Sequence, residues 1–257
     1  MGDSKCIYMF HAIGSKEDLS GCDLHYSYSL KNFEKFLKDC GSATSLQHVL
    51  SGKGQNTRVV ITFDDGHISN YQAAISIKEI INGSADFFIN ANVVGKKNFM
   101  SWHQLREINQ LGMSIQSHSL DHVYLSDLNY EQQLYQLTSS KKRIEDELGS
   151  EVTILAPPGG RYNQDTINIC KKIGYQHISI SKPGRWNQGY LSARIPVLSQ
   201  TSVGDLLSCQ NSMSPFLYKQ MLKYQLTGLA KKVLGNGHYD ILRSRLLDET
   251  SVDKGNK

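Results

Sequence analysis

The sequence predicts one α/β domain in which parallel strands alternate with helices and close into a barrel. Short, apolar, β-branched runs with the length of buried strands recur along the chain, for example at residues 58–63. Stretches with a helical spacing of apolar residues lie between them, for example at residues 129–148. Polar clusters follow three of the predicted strands, and a parallel barrel collects such clusters at one face.

The predicted elements follow one another in a regular order. The strands cover residues 6–10, 58–63, 85–90, 113–117, 152–156, 175–180 and 193–197. The helices cover residues 29–38, 71–81, 101–112, 129–148 and 163–173. Ser101 and Gln104 have the spacing of a capping box, and Gly149 is a typical helix-ending glycine. We expect residues 1–214 to form the barrel, and residues 215–257 to form a helical tail that is not an independent domain.

Composition narrows the function and the compartment. The net charge of +4 is too small to indicate a nucleic-acid partner, and we expect none. There is no apolar run of ~18 residues, so no transmembrane helix is expected. The five cysteines are scattered, odd in number and free of any C-x-x-C pair. They predict free thiols, and the amino-terminal residues show no secretory pattern, so we expect a cytoplasmic protein.

Two adjacent carboxylates end the strand at residues 58–63. Asp64 and Asp65 would repel each other at a buried strand end, and a bound cation is the usual compensation. It takes one carboxylate as a ligand and leaves the other as a base. The Asp65-Gly66 pair also favours a simple turn, so this motif alone leaves both interpretations open.

A pair of histidines follows another strand. His118 and His122 are four residues apart, a spacing that can aim both imidazoles at one point. With Asp65 they make a set of two histidines and one carboxylate, which is typical of a hydrolytic metal site with an open position. Zinc suits this set best, although Co²⁺, Ni²⁺, Fe²⁺ and Mn²⁺ also fit it. The six histidines that lack such neighbours are expected to be ordinary: His25, His48, His67, His103, His177 and His238.

A rigid turn follows the predicted strand at residues 152–156. Its sequence is Pro157-Pro158-Gly159-Gly160, and its glycine N–H groups are unencumbered. One interpretation is a plain strand-to-helix turn. The other is that the N–H of Gly159 helps to bind an oxyanion.

These three motifs resemble those of the polysaccharide deacetylases, carbohydrate esterase family four with the NodB homology domain. The resemblance covers residues 59–197, in matching order and spacing. It implies a distorted (β/α)7 barrel of the NodB type with a helical C-terminal extension, and metal-dependent removal of N-acetyl groups from amino sugars. It also implies that Asp64 is the general base, and that Asp65, His118 and His122 are the metal ligands. The oxyanion would contact the metal and the N–H after Pro158.

The sequence departs from the family pattern in three places. Ala156 stands where an arginine normally orients the base, and the fourth motif is indicated only by Trp186, which we assign to substrate binding. The Leu-x-His that supplies the general acid has no counterpart after Val197. His11 is our candidate for the acid, because it follows the first strand and would lie at the face that carries Asp64. A structural role at the barrel rim is the alternative for His11.

We expect the substrate to be an N-acylated amino sugar in a polysaccharide, a glycan precursor or a lipid-linked saccharide. Two alternatives remain: a deformylase acting on an N-formyl sugar, and a barrel that binds carbohydrate without catalysis. The base Asp64 argues against the second, because binding alone does not need it.

The tail has an amphipathic pattern. Four apolar residues share one helical face: Leu222, Leu226, Leu229 and Val233. Residues 215–245 carry six basic residues against one acid, Asp240, for a local charge of +5; the bases are Lys219, Lys223, Lys231, Lys232, Arg243 and Arg245. One interpretation is a helix packed on the barrel with a solvated basic face. The other is peripheral docking on an anionic membrane, at its inner face.

Overall fold

The computed structural model describes residues 4–14, 19–54 and 56–234, and within the last helix it describes side chains as far as residue 228. The described residues form a nearly closed parallel barrel surrounded by helices, as predicted. Arg243, Arg245 and Asp240 lie outside this range. No helix in the described part of the chain is long and apolar enough to cross a bilayer.

The barrel has eight strands among the described residues, and every neighbouring pair is parallel. They are β1 (Cys6–Phe10), β2 (Val59–Phe63), β3 (Asp86–Ile89), β4 (Ser114–Ser117), β5 (Ile154–Leu155), β6 (His177–Ile180), β7 (Leu191–Ala193) and β8 (Ile195–Pro196). The order around the sheet is β7-β6-β5-β4-β3-β2-β1-β8. The first strand of the sequence, β1, therefore pairs with the last one, β8. Because all the pairs are parallel, the loops that follow the strands lie at one face.

The helices are α1 (Leu30–Cys40), α2 (Leu46–Leu50), α3 (Ser69–Ile81), α4 (Trp102–Gln110), α5 (Tyr130–Leu148), α6 (Gln164–Lys172), α7 (Val203–Ser208) and α8 (Pro215–Leu234). The capping box of Ser101 and Gln104 is confirmed, and Gly149 ends α5 in the left-handed conformation. The sequence pattern did not predict α2 and α7, because five and six residues are too short to show periodicity.

The single strand predicted over residues 193–197 is wrong. The chain forms β7 at one edge of the sheet and leaves the ladder at Arg194. It then forms β8 at the opposite edge, so β7 and β8 flank the place where the barrel is not closed by strand pairing. The N–H of Arg194 donates to the carbonyl of Lys182 at 3.1 Å, while β7 pairs with β6 and β8 pairs with β1. The barrel is thus joined at this seam by the chain itself, and the Arg194 side chain is fully buried.

Two apolar layers hold the barrel. The outer layer lies between strands and helices, where the rings of Phe63 and Phe87 stack at 4.7 Å. Each such buried ring contributes on the order of 2–3 kcal/mol of burial free energy. The second layer fills the amino end of the barrel interior with Ile7, Val60, Phe88, Ile154, Ala156 and Trp186, and α2 adds Leu46 and Val49 to it. Apolar side chains therefore fill most of this end of the barrel.

Candidate active site

A cavity of about 890 Å³ opens at the carboxyl ends of the strands. Loops after four strands line it with predicted site residues: His11 after β1, Asp64 and Asp65 after β2, His118 and His122 after β4, and Gly159 after β5. The fold therefore brings together side chains that are far apart in sequence. Pro158 and Trp186 are the predicted site residues that do not line the cavity.

Asp64 is buried and clamped by an arginine. Nη1 of Arg194 donates to Oδ1 of Asp64 at 2.6 Å, and Nη2 donates to Oδ2 at 2.9 Å. Burial works to raise the pKa of Asp64, but the charge of Arg194 brings it below its ordinary value. Asp64 is therefore ionised at neutral pH. Each of its oxygens keeps a lone pair that can accept a further proton.

Arg194 takes the place of the arginine that the family pattern has at the position of Ala156. The arginine that orients the base is absent from the third motif, but a guanidinium reaches Asp64 from the seam between β7 and β8. Nη1 of Arg194 also lies 3.3 Å from Oγ1 of Thr62, and the guanidinium sits 5.3 Å from the centre of the Phe88 ring. We did not identify this residue from the sequence.

Asp65, His118 and His122 converge on one point. One ligand atom from each lies within 4.8 Å of the others. Oδ1 of Asp65 is 3.3 Å from Nε2 of His118 and 3.1 Å from Nε2 of His122, yet it has no hydrogen-bond partner among the described residues. Two ligands of a tetrahedral zinc with ~2.0–2.1 Å bonds are about 3.3 Å apart, so the spacing fits a shared cation.

The hydrogen bonding of His118 supports the same conclusion. Its Nδ1 lies 2.7 Å from the carbonyl oxygen of Ala156, which can only accept, so Nδ1 carries the proton. In the neutral ring Nε2 then points a lone pair at Asp65. A lone pair that faces a carboxylate oxygen is unfavourable without a cation between them, and this tautomer is the one metal-binding histidines adopt.

The electrostatics of the three side chains are coupled. Burial works to raise the pKa of Asp65, but the adjacent rings of His118 and His122 hold it well below its ordinary value. The contact with Asp65 in turn raises the pKa of His122. The cluster therefore favours a positive charge at its centre.

The loop that carries both histidines is held from α5. Oε1 of Gln136 accepts hydrogen bonds from Oγ of Ser119 at 3.0 Å, from the N–H of Leu120 at 3.2 Å and from the N–H of Asp121 at 3.0 Å. Its Nε2 donates to Oδ2 of Asp121 at 2.7 Å. These bonds keep the loop in a conformation that the backbone alone disfavours, because Ser119 and His122 have φ of 69° and 56°.

The turn after β5 presents a bare N–H. Its two hydrogen bonds use the N–H groups of Gly160 and Arg161 and leave that of Gly159 out. Gly159 has φ of 60°, and a Cβ there would lie 2.6 Å from Cε1 of Tyr124. Glycine is therefore required on two counts. Pro158 is buried beneath the turn, where its carbonyl accepts from Arg161.

His11 lies on the cavity wall as predicted. Its ring packs against Tyr26 at 4.8 Å, and the amide of Asn70 donates to its backbone carbonyl at 2.5 Å. Its Nδ1 is buried and has no hydrogen-bond partner among the described residues. The place of His11 at this wall is compatible with either role named above.

Trp186 is not brought to the cavity, so its assignment to substrate binding is not supported. The N–H of Lys5, just before β1, donates to its carbonyl at 2.6 Å, and its ring packs on His177 at the start of β6. Both contacts lie at the amino ends of strands, opposite the site. Trp186 fills the closed end of the barrel because its large ring belongs to the apolar layer there.

Two histidines predicted to be ordinary, His25 and His67, also line the cavity. Both ring nitrogens of His67 have partners, since Nδ1 lies 2.8 Å from Oγ of Ser69 and Nε2 lies 3.1 Å from the carbonyl oxygen of Ser20. His67 is therefore held in a structural role.

Helix α8 forms one wall of the cavity, which the sequence did not predict. Gln220, Lys223, Tyr224 and Thr227 line it, at the i, i+3, i+4, i+7 spacing of a single helical face. Phe216, Leu217 and Met221 pack against the core instead. The predicted apolar face points away, because Leu222 and Leu226 are each 57% exposed. The interpretation in which this face packs on the barrel is therefore wrong for these two residues.

The chain is similar to known deacetylases. The family model described as polysaccharide deacetylase matches residues 51–178. A Bacillus subtilis protein named as a polysaccharide deacetylase of the YxkH type is 34% identical over 187 residues, which are 69% of this chain and 64% of that protein. The peptidoglycan-N-acetylglucosamine deacetylase of Bacillus cereus is 27% identical over 154 residues, 58% of this chain and 70% of that protein.

The solved structures agree with the sequence matches. The deacetylase PplD of Streptococcus pyogenes, in complex with acetate, superposes with a TM-score of 0.72 at 25% identity. The match covers 82% of this chain and 100% of that one. The nearly closed parallel barrel is thus the fold that these deacetylases share.

Proposed function

The chain belongs to the polysaccharide deacetylase family, and on this premise we propose that it hydrolyses the N-acetyl amide of an amino sugar with the help of a divalent metal. Asp65, His118 and His122 would hold the metal, and zinc suits their two imidazoles and one carboxylate best. The observation that carries the proposal is the pairing of this donor cluster with an ionised, buried Asp64 that is not one of its ligands.

The residues divide the reaction between them. The metal, when bound, would polarise the amide carbonyl and lower the pKa of a water molecule. Asp64 accepts the proton of the attacking water, and Arg194 keeps Asp64 ionised and oriented for that transfer. The N–H of Gly159 donates to the oxyanion that forms as the C–O bond is made. When the C–N bond breaks, His11 donates a proton to the leaving amine, which gives acetate and a free amino sugar.

The cavity wall suits a sugar. Tyr26, Tyr124 and Tyr224 line it around the polar groups, and their rings offer apolar faces beside hydrogen-bonding hydroxyls. A polysaccharide, a glycan precursor and a lipid-linked saccharide all contain the reacting group, so the size of the substrate is left to the assay.

An acyl-release assay tests the proposal. The full chain, loaded with Zn²⁺, is incubated with polymeric, nucleotide-linked and lipid-linked N-acetyl amino sugars and with their N-formyl analogues. Acetate release that a chelator abolishes is the expected result. Release of formate alone would make the protein a deformylase. Binding without any release, with metal supplied, would establish a carbohydrate-binding barrel and overturn the proposal.

We also propose that the protein works in the cytoplasm, at the inner face of the membrane. The five cysteines are free thiols, as a reducing compartment favours. The outward face of α8 exposes Tyr218, Leu222 and Leu226 beside Lys219, which suits an anionic lipid surface. Flotation with anionic and neutral vesicles at low salt tests the docking.

In that experiment Leu222→Glu should abolish flotation with anionic vesicles, whereas Tyr135→Glu, an equally exposed ring on α5, should not. Equal recovery of the unsubstituted chain with anionic and neutral vesicles would reject docking. Docking would also be rejected if the unsubstituted chain is a dimer in solution and Leu222→Glu makes it a monomer, because the exposed face would then be a dimer interface.

A further inference from the structure

The wall that α8 adds to the cavity comes from a part of the chain beyond the family match. The match ends at residue 178, and α8 begins at Pro215. The helix nevertheless lines the same cavity as Gly159, through Lys223 and Tyr224. The reacting groups and α8 therefore border one cavity. A substrate whose acetamido group lies beside Asp65, His118 and His122 would extend along this helix.

The carboxylates that line the cavity have polar partners, whereas one of the cations has none among the residues that the structure describes. Each carboxylate in the wall has contacts of its own: Asp23 with the N–H of His25, Asp64 with Arg194, Asp65 with His118 and His122, and Asp121 with Asn92 and Gln136. Lys223, in contrast, contacts no carboxylate within the part of the chain that the structure describes. A cation without a counter-ion on a cavity wall is suited to an anionic ligand.

A second cation lies on the same wall. The guanidinium of Arg161 sits 4.0 Å from the centre of the Tyr124 ring, and its Nη1 is 3.8 Å from Oδ2 of Asp127. The ring contact holds the guanidinium plane, since stacking on tyrosine is a favoured arginine geometry. Arg161 is thus engaged by Asp127 and Tyr124, whereas Lys223 has no such carboxylate among the described residues.

We propose that Lys223 forms a subsite for an anionic group on the saccharide, next to the acetamido sugar that reacts, and that Tyr224 supplies the ring surface beside it. The proposal rests on the proposed function, because it places a neighbouring group of the same substrate. A phosphate ester and a uronic-acid carboxylate share the required chemistry. Lysine binds both as a point charge that carries three N–H donors.

The subsite gives α8 a role in specificity. A neutral chitooligosaccharide would bind to the same cavity without using Lys223, whereas an anionic substrate would gain a charge-assisted hydrogen bond. Such a bond is worth about 10-fold to 100-fold in affinity. Salt should weaken this preference, since Lys223 is exposed and its charge is screened.

Kinetics on matched substrates test the subsite. The zinc-loaded full chain is assayed with one neutral and two anionic substrates. The neutral one is N,N′-diacetylchitobiose, and the anionic ones are N-acetylglucosamine 1-phosphate and a disaccharide of N-acetylglucosamine and glucuronic acid. The chain is compared with Lys223→Gln and with Lys219→Gln, a lysine of the same helix that does not line the cavity. We expect kcat/KM to favour the anionic substrates by at least about 10-fold, and Lys223→Gln alone to remove most of that preference. The phosphate and carboxylate arms show which anion is preferred.

Two results would overturn the subsite. One is the absence of any preference for anionic substrates in the unsubstituted chain. The other is a loss of rate in Lys223→Gln that is equal for neutral and anionic substrates. Calorimetry with N-acetylglucosamine 1-phosphate separates this failure from failure of the proposed function. Binding that Lys223→Gln weakens, without turnover, would leave the subsite standing and refute the enzyme; no binding would refute the subsite.

Discussion

Two carboxylates lie buried in the barrel interior, and their surroundings shift their pKa values in opposite directions. Asp64, at the carboxyl end of β2, is ion-paired with Arg194, and its pKa is lowered. Asp86, at the amino end of β3, accepts hydrogen bonds from the N–H groups of Leu46 and Gln47 at 2.5 and 3.2 Å, and burial raises its pKa to about 7. Full burial is common to both residues. The difference is direct pairing. The Arg194 guanidinium bonds both oxygens of Asp64, whereas at Asp86 its charge lowers the pKa too little to offset burial.

The comparison shows how one barrel supports two kinds of interior. The carboxyl end holds buried carboxylates because Asp64 is paired with Arg194 and Asp65 belongs to the cluster with His118 and His122. The amino end is packed with Ile7, Val60, Phe88 and Trp186, and Asp86 lies buried at the start of β3. Chemistry is possible only where the fold provides the counter-ions. The experiments below break or sharpen this contrast, from the largest expected effect to the smallest.

Removing charge at the catalytic end should abolish activity in two distinguishable ways. Asp65→Ala and His118→Ala should lose the metal and with it all turnover. Asp64→Asn should keep the metal and lose about 10²–10⁴-fold in kcat, because the base can no longer accept a proton. Metal analysis of the purified proteins, followed by rate assays, checks both. Normal turnover by Asp64→Asn would refute its role as base.

His11→Ala should also keep the metal and the fold while kcat falls by about 10²–10⁴-fold. The alkaline limb of the pH–rate profile should disappear, because that limb reports the loss of the donor's proton. His25→Ala, another histidine on the cavity wall, serves as the control and should retain the limb. An unchanged alkaline limb in His11→Ala would leave His11 with a structural role only.

Arg194→Met should leave Asp64, like Asp86, as a buried carboxyl group without a paired guanidinium. Without the guanidinium, burial dominates and the pKa of Asp64 should rise, so the acidic limb of kcat/KM should move to higher pH. Breaking a buried ion pair should also cost about 3–5 kcal/mol of unfolding free energy. Urea unfolding and a pH–rate profile measure the two effects. Arg185→Met, which loses bonds to the carbonyl of Cys209 rather than to a carboxylate, should leave the acidic limb in place.

Gln136→Met should weaken metal binding about 10–100-fold, because the loop that carries His118 and His122 loses three hydrogen bonds to Oε1. The control is Gln133→Met, one turn earlier on α5, whose amide donates to the carbonyl of Leu128 instead. Competition with a chromogenic chelator gives both affinities. Equal affinities in the two variants would show that the loop is held without Gln136.

The smallest effect on activity is expected at the closed end, where a substitution should change stability alone. Asp86 has a folded pKa of about 7, above its unfolded value of ~3.9, so its contribution to stability is present below pH ~4 and is lost as pH rises through 7. Asp86→Asn cannot ionise, so its unfolding free energy should change less than that of the unsubstituted chain between pH 5 and 8. Over this pH range the difference is about 3 kcal/mol, and kcat should not change. Denaturation at several pH values measures it, and parallel curves would contradict the shift.

The sequence predicted the local part of the site and missed the distant part. Asp64, Asp65, His118 and His122 were predictable, because each pair lies within one short motif directly after a strand. Arg194 is 130 residues from Asp64, and no spacing rule links them. A signal existed: an arginine inside the apolar stretch predicted as a strand at residues 193–197 needs a buried counter-ion.

The alternation of strands and helices was likewise predictable from periodicity, and the structure confirms it. The wall formed by α8 was not, because a helical pattern shows which residues share a face and not what that face contacts. Leu222 and Leu226 were expected on one face and do share it, but that face is exposed. Trp186 was misassigned because one aromatic residue was matched to a motif without its neighbours.

The seam between β7 and β8 has a consequence for how the chain is made. Asp64 leaves the ribosome 130 residues before Arg194, a delay on the order of 10 seconds at 5–20 residues per second. During that time no guanidinium is available from the seam, and β8 has not been made to pair with β1. Asp64, the proposed base, therefore cannot form its ion pair until the strands on either side of Arg194 have been made. The residue that completes this seam of the barrel is also the one that holds Asp64.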